Sequence, residues 1–358
     1  MEALGIHMAL TLKTNLKNNQ SLSRPALEGK FLLSRITEHT DERGAKSSLT
    51  LGQPESCKTA ATCSICEYFM IHHPKDVLFW RSALNAPIQI FKLPKWHLYV
   101  EQDSGIRFFD RVTQKDITDQ LKEKRKLTYF TTFNDLLKKA KPGICNGVFF
   151  KDLHQKKVKK DEGTIQWFKF IRHLLHRANW YHCFFDEYQE MVKAGNGERM
   201  WYLIDKHSDD INSARKSNVG IHANAHQTTE VDWRVLPGFM LIIQMYGSRG
   251  YKHSPVSKHA LASLRKPSEK VGAEAWISEG GHFGRITFTK IYTLPQDLNI
   301  EARIVSKHER TKVCKICSHV YTYKRSDQTY CSQSCKNKAA RMKKEEELKK
   351  RKKSRKSG

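Results

Sequence analysis

Four cysteines near the C-terminus constrain this chain more than any other feature. Cys314-Lys315-Ile316-Cys317 is followed, after thirteen intervening residues, by Cys331-Ser332-Gln333-Ser334-Cys335. Two close cysteine pairs with these spacings suit tetrahedral zinc held by four thiolates, and a shell closed by four protein ligands makes the site structural. The first pair fits a tight knuckle. The second pair, spaced i and i+4, can project from the first turn of a helix that continues through Lys336 to about Lys350. A segment this short has no hydrophobic core of its own, so bound metal has to supply much of its folding free energy.

Between the pairs, Val320-Tyr321-Thr322-Tyr323 reads as a strand, Arg325-Ser326-Asp327-Gln328 as a turn, and Tyr330 packs beneath the metal. The four cysteines, Tyr330, Ser332, Asn337 and Ala339 make the stretch from 309 to 341 resemble treble-clef fingers with a Tyr-Cys-Ser-x-x-Cys second knuckle, of the MYM/FCS or CGNR type. Lysines stand where the CGNR pattern has Gly and Arg. The resemblance implies binding to nucleic acid or protein.

Charge points to the same partner. The 358 residues carry 63 Lys plus Arg against 37 Asp plus Glu, a formal +26. The tail from 336 onward holds twelve basic and three acidic side chains, leaving 51 basic against 34 acidic in 1–335. Such a field attracts polyanions and makes the association salt-sensitive. Arg325, Lys336, Lys338, Arg341, Lys343 and Lys344 are the candidate phosphate contacts. No apolar run approaches the ~20 residues that a spanning helix needs, so no membrane role is expected. Met1 to Leu12 lacks a basic cluster before its apolar stretch and does not read as a secretory signal. The expected setting is cytoplasmic or nucleoid-associated, or nuclear in a eukaryote.

The organisation reads as a loosely ordered arm over 1–50, an α+β body over 51–305, the finger over 309–341 and a basic tail over 342–358. In the body, Ile88–Leu93 and Trp96–Val100 read as strands, and Asp103-Ser104-Gly105 turns the second into a hairpin with Ile106–Phe109. Lysine-rich stretches at 122–126 and 156–160 flank a short helix from Phe133 to Ala140. Trp167, Ile171, Leu174, Ala178, Tyr181, Phe185 and Tyr188 recur at steps of three and four, which predicts one long core helix from Ile165 to Lys193, ended by Gly195-Asn196-Gly197. Asp186, Glu187 and Glu190 then crowd its C-terminal half, against the preference of the helix dipole. Met200–Ile204, Gly238–Tyr246 and Arg285–Leu294 read as strands, and Ser257–Arg265 as a helix.

Weaker constellations remain in the body. Cys57, Cys63 and Cys66, with His72, Cys145 or Cys183 completing the set, form a candidate second zinc site. His222 and His226 share a face if helical, and with Asp205, His207, Asp209 and Asp210 they sketch a divalent-metal nuclease centre. His173 and His176, among Lys169, Arg172 and Arg177, form a surface that faces anions. The loop at 247–252 lacks the Gly-x4-Gly-Lys-Ser/Thr pattern of phosphate-binding loops. The leading expectation is a nucleic-acid-binding protein, not an enzyme, that grips phosphates through its finger and tail. The alternatives are a nuclease or replication protein of a phage or mobile element, and a protein-protein adaptor.

Overall fold

The computed structural model describes residues 33–38, 44–82, 84–150, 162–192, 198–214, 216–249, 256–270, 272–279, 282–290, 292–295, 298–305, 311–317, 320–322 and 329–354. The chain divides into two units, Met1–Arg303 and Ile304–Gly358. Expectations at 156–160, 195–197, 250–252 and Arg325 lie outside the described residues.

The first unit runs α1 (Leu33–Thr37), β1 (Ser48–Leu51), α2 (Lys58–His72), β2 (Val77–Arg81), β3 (Trp96–Glu101), β4 (Ile106–Asp110), α3 (Thr118–Glu123) and β5 (Leu127–Phe130). It continues with α4 (Phe133–Lys139), β6 (Cys145–Phe149), α5 (Glu162–Leu174), β7 (Tyr181–Phe185), α6 (Glu198–Ala214), β8 (Val219–Ala225) and β9 (Leu241–Met245). It ends with α7 (Lys258–Ala262), β10 (Ala273–Glu279), β11 (His282–Phe288) and β12 (Ile300–Ile304).

Ten of these strands form one sheet in the order β11-β10-β9-β1-β8-β7-β2-β6-β3-β5. All pairings from β9 through β5 are parallel, and β10 and β11 add an antiparallel edge. The expected α+β class is therefore corrected to a mixed α/β fold on a mostly parallel sheet. Parallel strands are covered on both faces, so their sequences are apolar throughout instead of alternating. Val77-Leu78-Phe79-Trp80 and Leu241-Ile242-Ile243 show this. β1 lies in the middle of the sheet although it starts at Ser48, inside the stretch expected to be a loose arm.

The long helix is the main misreading. α5 stops at Leu174, and Tyr181–Phe185 is a fully buried strand. Tyr181, Cys183 and Phe185 point to one face and join the apolar cluster of Phe79, Trp167, Phe170, Ile171 and Leu174. His182 and Phe184 point to the other and meet Phe69 of α2, with ring centroids 3.8 and 6.4 Å away. Residues of a helix and of the strand it packs against together reproduced a helical rhythm. Similarly, Met200–Ile204 lies within α6, Ile88–Leu93 holds a 3-10 turn, and His222–Ala225 is strand. β3 and β4 do not form a hairpin, because β3 pairs with β5 and β6 while β4 pairs with β12. No described helix is long and apolar enough to cross a membrane.

The face under α2 is unusually polar. Asp76 Oδ2, His182 and His222 connect at 3.2 Å each, and His222 Nδ1 meets Ser48 Oγ at 2.9 Å. All four residues are buried. The chain is satisfied when both imidazoles are neutral and protonated at Nε2: His182 donates to Asp76, His222 donates to His182, and Ser48 donates to His222.

Buried neutral histidines make the fold acid-sensitive. His207 stacks on Phe168 with centroids 4.0 Å apart and bonds the Tyr188 hydroxyl at 2.7 Å. Burial, with help from Arg172, holds its pKa down to about 3. Burial and the nearby Lys141 and Lys126 hold His97 down to about 4. Each unfolded imidazole titrates near 6.5, so below that pH the unfolded chain binds protons that the folded one refuses, and stability is lost as pH falls. Each group is expected to remove about 2 kcal/mol between pH 6.5 and pH 5. Urea unfolding from pH 7.5 to 5 checks this, with His207→Phe giving a slope shallower by about one proton.

Candidate active site

The loop between β1 and α2, Gly52-Gln53-Pro54-Glu55-Ser56-Cys57-Lys58-Thr59, carries the densest set of local constraints in the first unit. Gly52 donates its amide to Ala225 O at 3.3 Å, and Ser56 folds back to donate to Gln53 O at 3.2 Å. A Cβ on Gly52 would lie 2.3 Å from Ser56 Oγ, so only glycine permits this fold-back. Glu55 (φ 66°) and Cys57 (φ 63°) both adopt the left-handed conformation, which is strained for side chains other than glycine. A loop with left-handed residues spaced two apart makes a concavity of backbone N–H groups, and α2 starts immediately after it. Such a concavity at a helix N-terminus suits an anion. The Ser56 hydroxyl is buried there without a partner.

Lys58, the first residue of α2, bends back over the loop. Its Nζ lies 2.7 Å from Gly52 O, 3.1 Å from Gln53 O and 3.1 Å from His226 Nδ1. Burial lowers its pKa, opposed by the carboxylates of Glu187, Asp186 and Glu230.

Two of those carboxylates follow β7. Asp186 accepts from Asn224 Nδ2 at 3.1 Å, and Asn224 Oδ1 accepts from Thr62 of α2 at 2.6 Å. Burial raises the Asp186 pKa, and the Asn224 hydrogen bond opposes that rise. Glu187 is left-handed at φ 53°, and its Oε2 lies 3.1 Å from His226 Nε2. Arg81, at the end of β2, donates to Asp186 O at 3.5 Å.

Topology explains the convergence. Gly52, Arg81, Asp186 and His226 lie at or just beyond the C-terminal ends of β1, β2, β7 and β8, four parallel strands that end on the same edge. From β1 the chain crosses to β2, and it later returns past β1 to β9 on the other side. In open α/β sheets the crevice at such a reversal is where ligands bind. The arrangement combines a left-handed loop at a helix start, a lysine, a helix-start hydroxyl at Thr59 and two carboxylates.

The second zinc site is corrected. Among the described residues the one group of three or more His, Cys, Asp or Glu side chains able to share an ion is Cys314, Cys317, Cys331 and Cys335. Cys57 and His72 sit at opposite ends of α2, which at 1.5 Å per residue puts them about 22 Å apart. Cys63 and Cys66 are fully buried, and among the described residues they gather no third ligand atom within reach. The nuclease centre does not assemble either. His222 belongs to the buried chain beneath α2, whereas Asp209 is exposed on α6 and Asp210 pairs with Arg172 at 2.8 Å.

The second unit holds the expected cysteine cluster. Its ligand atoms lie within 4.8 Å of one another, so the four could hold a metal ion. β13 (Thr311–Val313) and β14 (Val320–Thr322) pair antiparallel on either side of the Cys314–Cys317 knuckle. α8 (Gln333–Ser354) carries Cys335 and begins where Ser332 Oγ accepts the Cys335 amide at 3.2 Å. Lys336, Lys338, Arg341 and Lys343 are exposed on this helix, and Lys344 follows on it.

Neither a family model nor a curated protein matches this chain. Among solved structures it is similar to the genome packaging NTPase B204 of Sulfolobus turreted icosahedral virus 2 with ATP-gammaS, at 11% identity, covering 75% of this chain and 100% of that one, TM-score 0.38. It is also similar to the pCW3 conjugation coupling protein TcpA (10% identity, 72% and 68% covered, TM-score 0.31) and to a DnaB-like replicative helicase (14%, 73% and 60%, 0.38). These likenesses are too remote to carry an argument about function, which rests on the residues around Lys58. The expectation of a protein defined by its finger and tail is corrected, because Lys58, Asp186 and Glu187 converge in the first unit.

Proposed function

We propose that the first unit is a Mg²⁺-dependent nucleoside triphosphatase. The observation that carries this is the meeting of Lys58, on the β1–α2 loop, with Glu187, beyond β7, across a single imidazole. Gly52-x4-Cys57-Lys58-Thr59 departs from Gly-x4-Gly-Lys-Ser/Thr only by cysteine at the second glycine, and Cys57 holds the left-handed conformation that glycine adopts freely. The same logic assigns the remaining roles. The loop amides and Lys58 bind the phosphate chain, and Glu187 orients the attacking water. The Thr59 hydroxyl and the Asp186 carboxylate are hard oxygen donors suited to Mg²⁺. Bound there, the ion would neutralise charge on the terminal phosphates. Asn224 keeps Asp186 directed at the site through Thr62.

Nucleic acid is the partner we propose for this activity. The formal +26 supports it, since a field of that sign gathers polyanions at low salt. Of the nucleic-acid-processing alternative this reading drops only the nuclease centre, since Asp209 is exposed on α6 and His222 is bonded to Ser48 and His182.

ATP turnover by the purified chain, with and without single- and double-stranded nucleic acid, is the direct test. Lys58→Ala is expected to lower kcat by about a hundredfold or more, on the scale of losing a preorganised charge contact. Glu187→Gln is expected to keep ATP binding while abolishing most turnover. Turnover unchanged in both variants would refute the assignment.

For the second unit we propose a structural zinc site of the short treble-clef kind, supported by the four converging thiols and the hairpin-helix frame. One zinc per chain is expected by elemental analysis, with Cys335→Ser losing it and leaving 304–358 open to proteolysis. Full zinc content in that variant would count against four-cysteine ligation.

A further inference from the structure

We infer that His226 is a positioning residue that makes Lys58 and Glu187 respond to each other, so that phosphate arriving at the lysine changes how the glutamate is held. The inference rests on the triphosphatase reading and adds a regulatory contact to the same site.

An ammonium has three protons. In this structure Lys58 Nζ has three acceptors within hydrogen-bonding distance: Gly52 O, Gln53 O and His226 Nδ1. A phosphate oxygen can therefore gain the lysine only by displacing one of them. Two are carbonyls of the loop that would cradle the phosphate. The third is a side chain, 28% exposed at the end of β8.

The lysine also sets the tautomer. Because His226 Nδ1 faces an ammonium, it has to be the acceptor, and the ring proton then sits on Nε2 and is donated to Glu187 Oε2 at 3.1 Å. Glu187 is a left-handed residue, a conformation that persists only when its surroundings over-determine it. The His226 N–H and the Gln189 amide both reach its Oε2. Before nucleotide arrives, one imidazole thus occupies the lysine and fixes the carboxylate. When a phosphate oxygen accepts the lysine hydrogen bond instead, Nδ1 loses its donor and the imidazole is no longer anchored to the loop, so the way Nε2 holds Glu187 changes with it.

Removing the imidazole should therefore split binding from turnover in opposite directions. His226→Ala frees Lys58, so ATPγS affinity measured by calorimetry is expected to stay level or tighten by up to about threefold. Glu187 loses its guide, so kcat should fall by about ten- to a hundredfold. His226→Gln, whose carbonyl can accept from Lys58 and whose amide can donate to Glu187, should recover most of kcat. Structural damage would weaken binding and turnover together, and glutamine would not rescue it. Two results overturn the inference: wild-type kcat in His226→Ala, or parallel loss of affinity and kcat in both variants. Wild-type turnover that survives Lys58→Ala instead overturns the triphosphatase reading, and the inference with it.

Discussion

A buried ammonium needs its protons taken, and much of the first unit is arranged to take those of Lys58. Its acceptors come from the loop after β1 and from the residue after β8, two strands that are direct neighbours in the sheet. Two of the three carboxylates that favour its charged form come from beyond β7, the next strand along. The lysine can sit there only because Gly52 lets Ser56 fold back and because Cys57 turns left-handed just before α2. Strand order, loop conformation and helix start therefore serve one charge, which would otherwise carry an uncompensated desolvation cost.

That dependence explains which parts can be read from the residues alone. The cysteine cluster at 314–335 is legible because zinc ligation writes itself into local spacing. The cradle at 52–59 is not, because its defining pattern is broken at Cys57. By residue type that cysteine groups instead with Cys63 and Cys66 as a metal ligand. The signal is still present: an apolar strand, Gly52, then Lys58-Thr59 opening a helix. What separates the two readings is backbone conformation, and residue type specifies a positive φ only when the residue is glycine.

The second lapse carries its own warning. Asp186, Glu187 and Glu190 are out of place at the C-terminal end of a long helix, where the dipole disfavours acids. The conflict disappears once Tyr181–Phe185 is a strand, since the acids then follow a strand end instead of closing a long helix. A local violation of electrostatic preference exposes the wrong element before any tertiary contact is known. Spacing alone hides it, because Trp167, Ile171 and Leu174 on α5 and Tyr181 and Phe185 on β7 line one interior and alternate in a way that mimics a helix.

The polar face beneath α2 extends the same logic away from the site. Alternation along β8 sends Ile221, Ala223 and Ala225 into the apolar cluster and His222 and Asn224 toward α2. Of the latter two, Asn224 orients Asp186, and His222 closes the hydrogen-bonded chain from Asp76 through His182 to Ser48. Purely apolar contacts would leave α2 free to slide, since they are non-directional. Directional bonds from Asn224 to Thr62, and the packing of Phe69 on His182, fix where α2 lies against the sheet. The start of α2 is Lys58, so the register of a buried polar layer sets the position of the charge at the site.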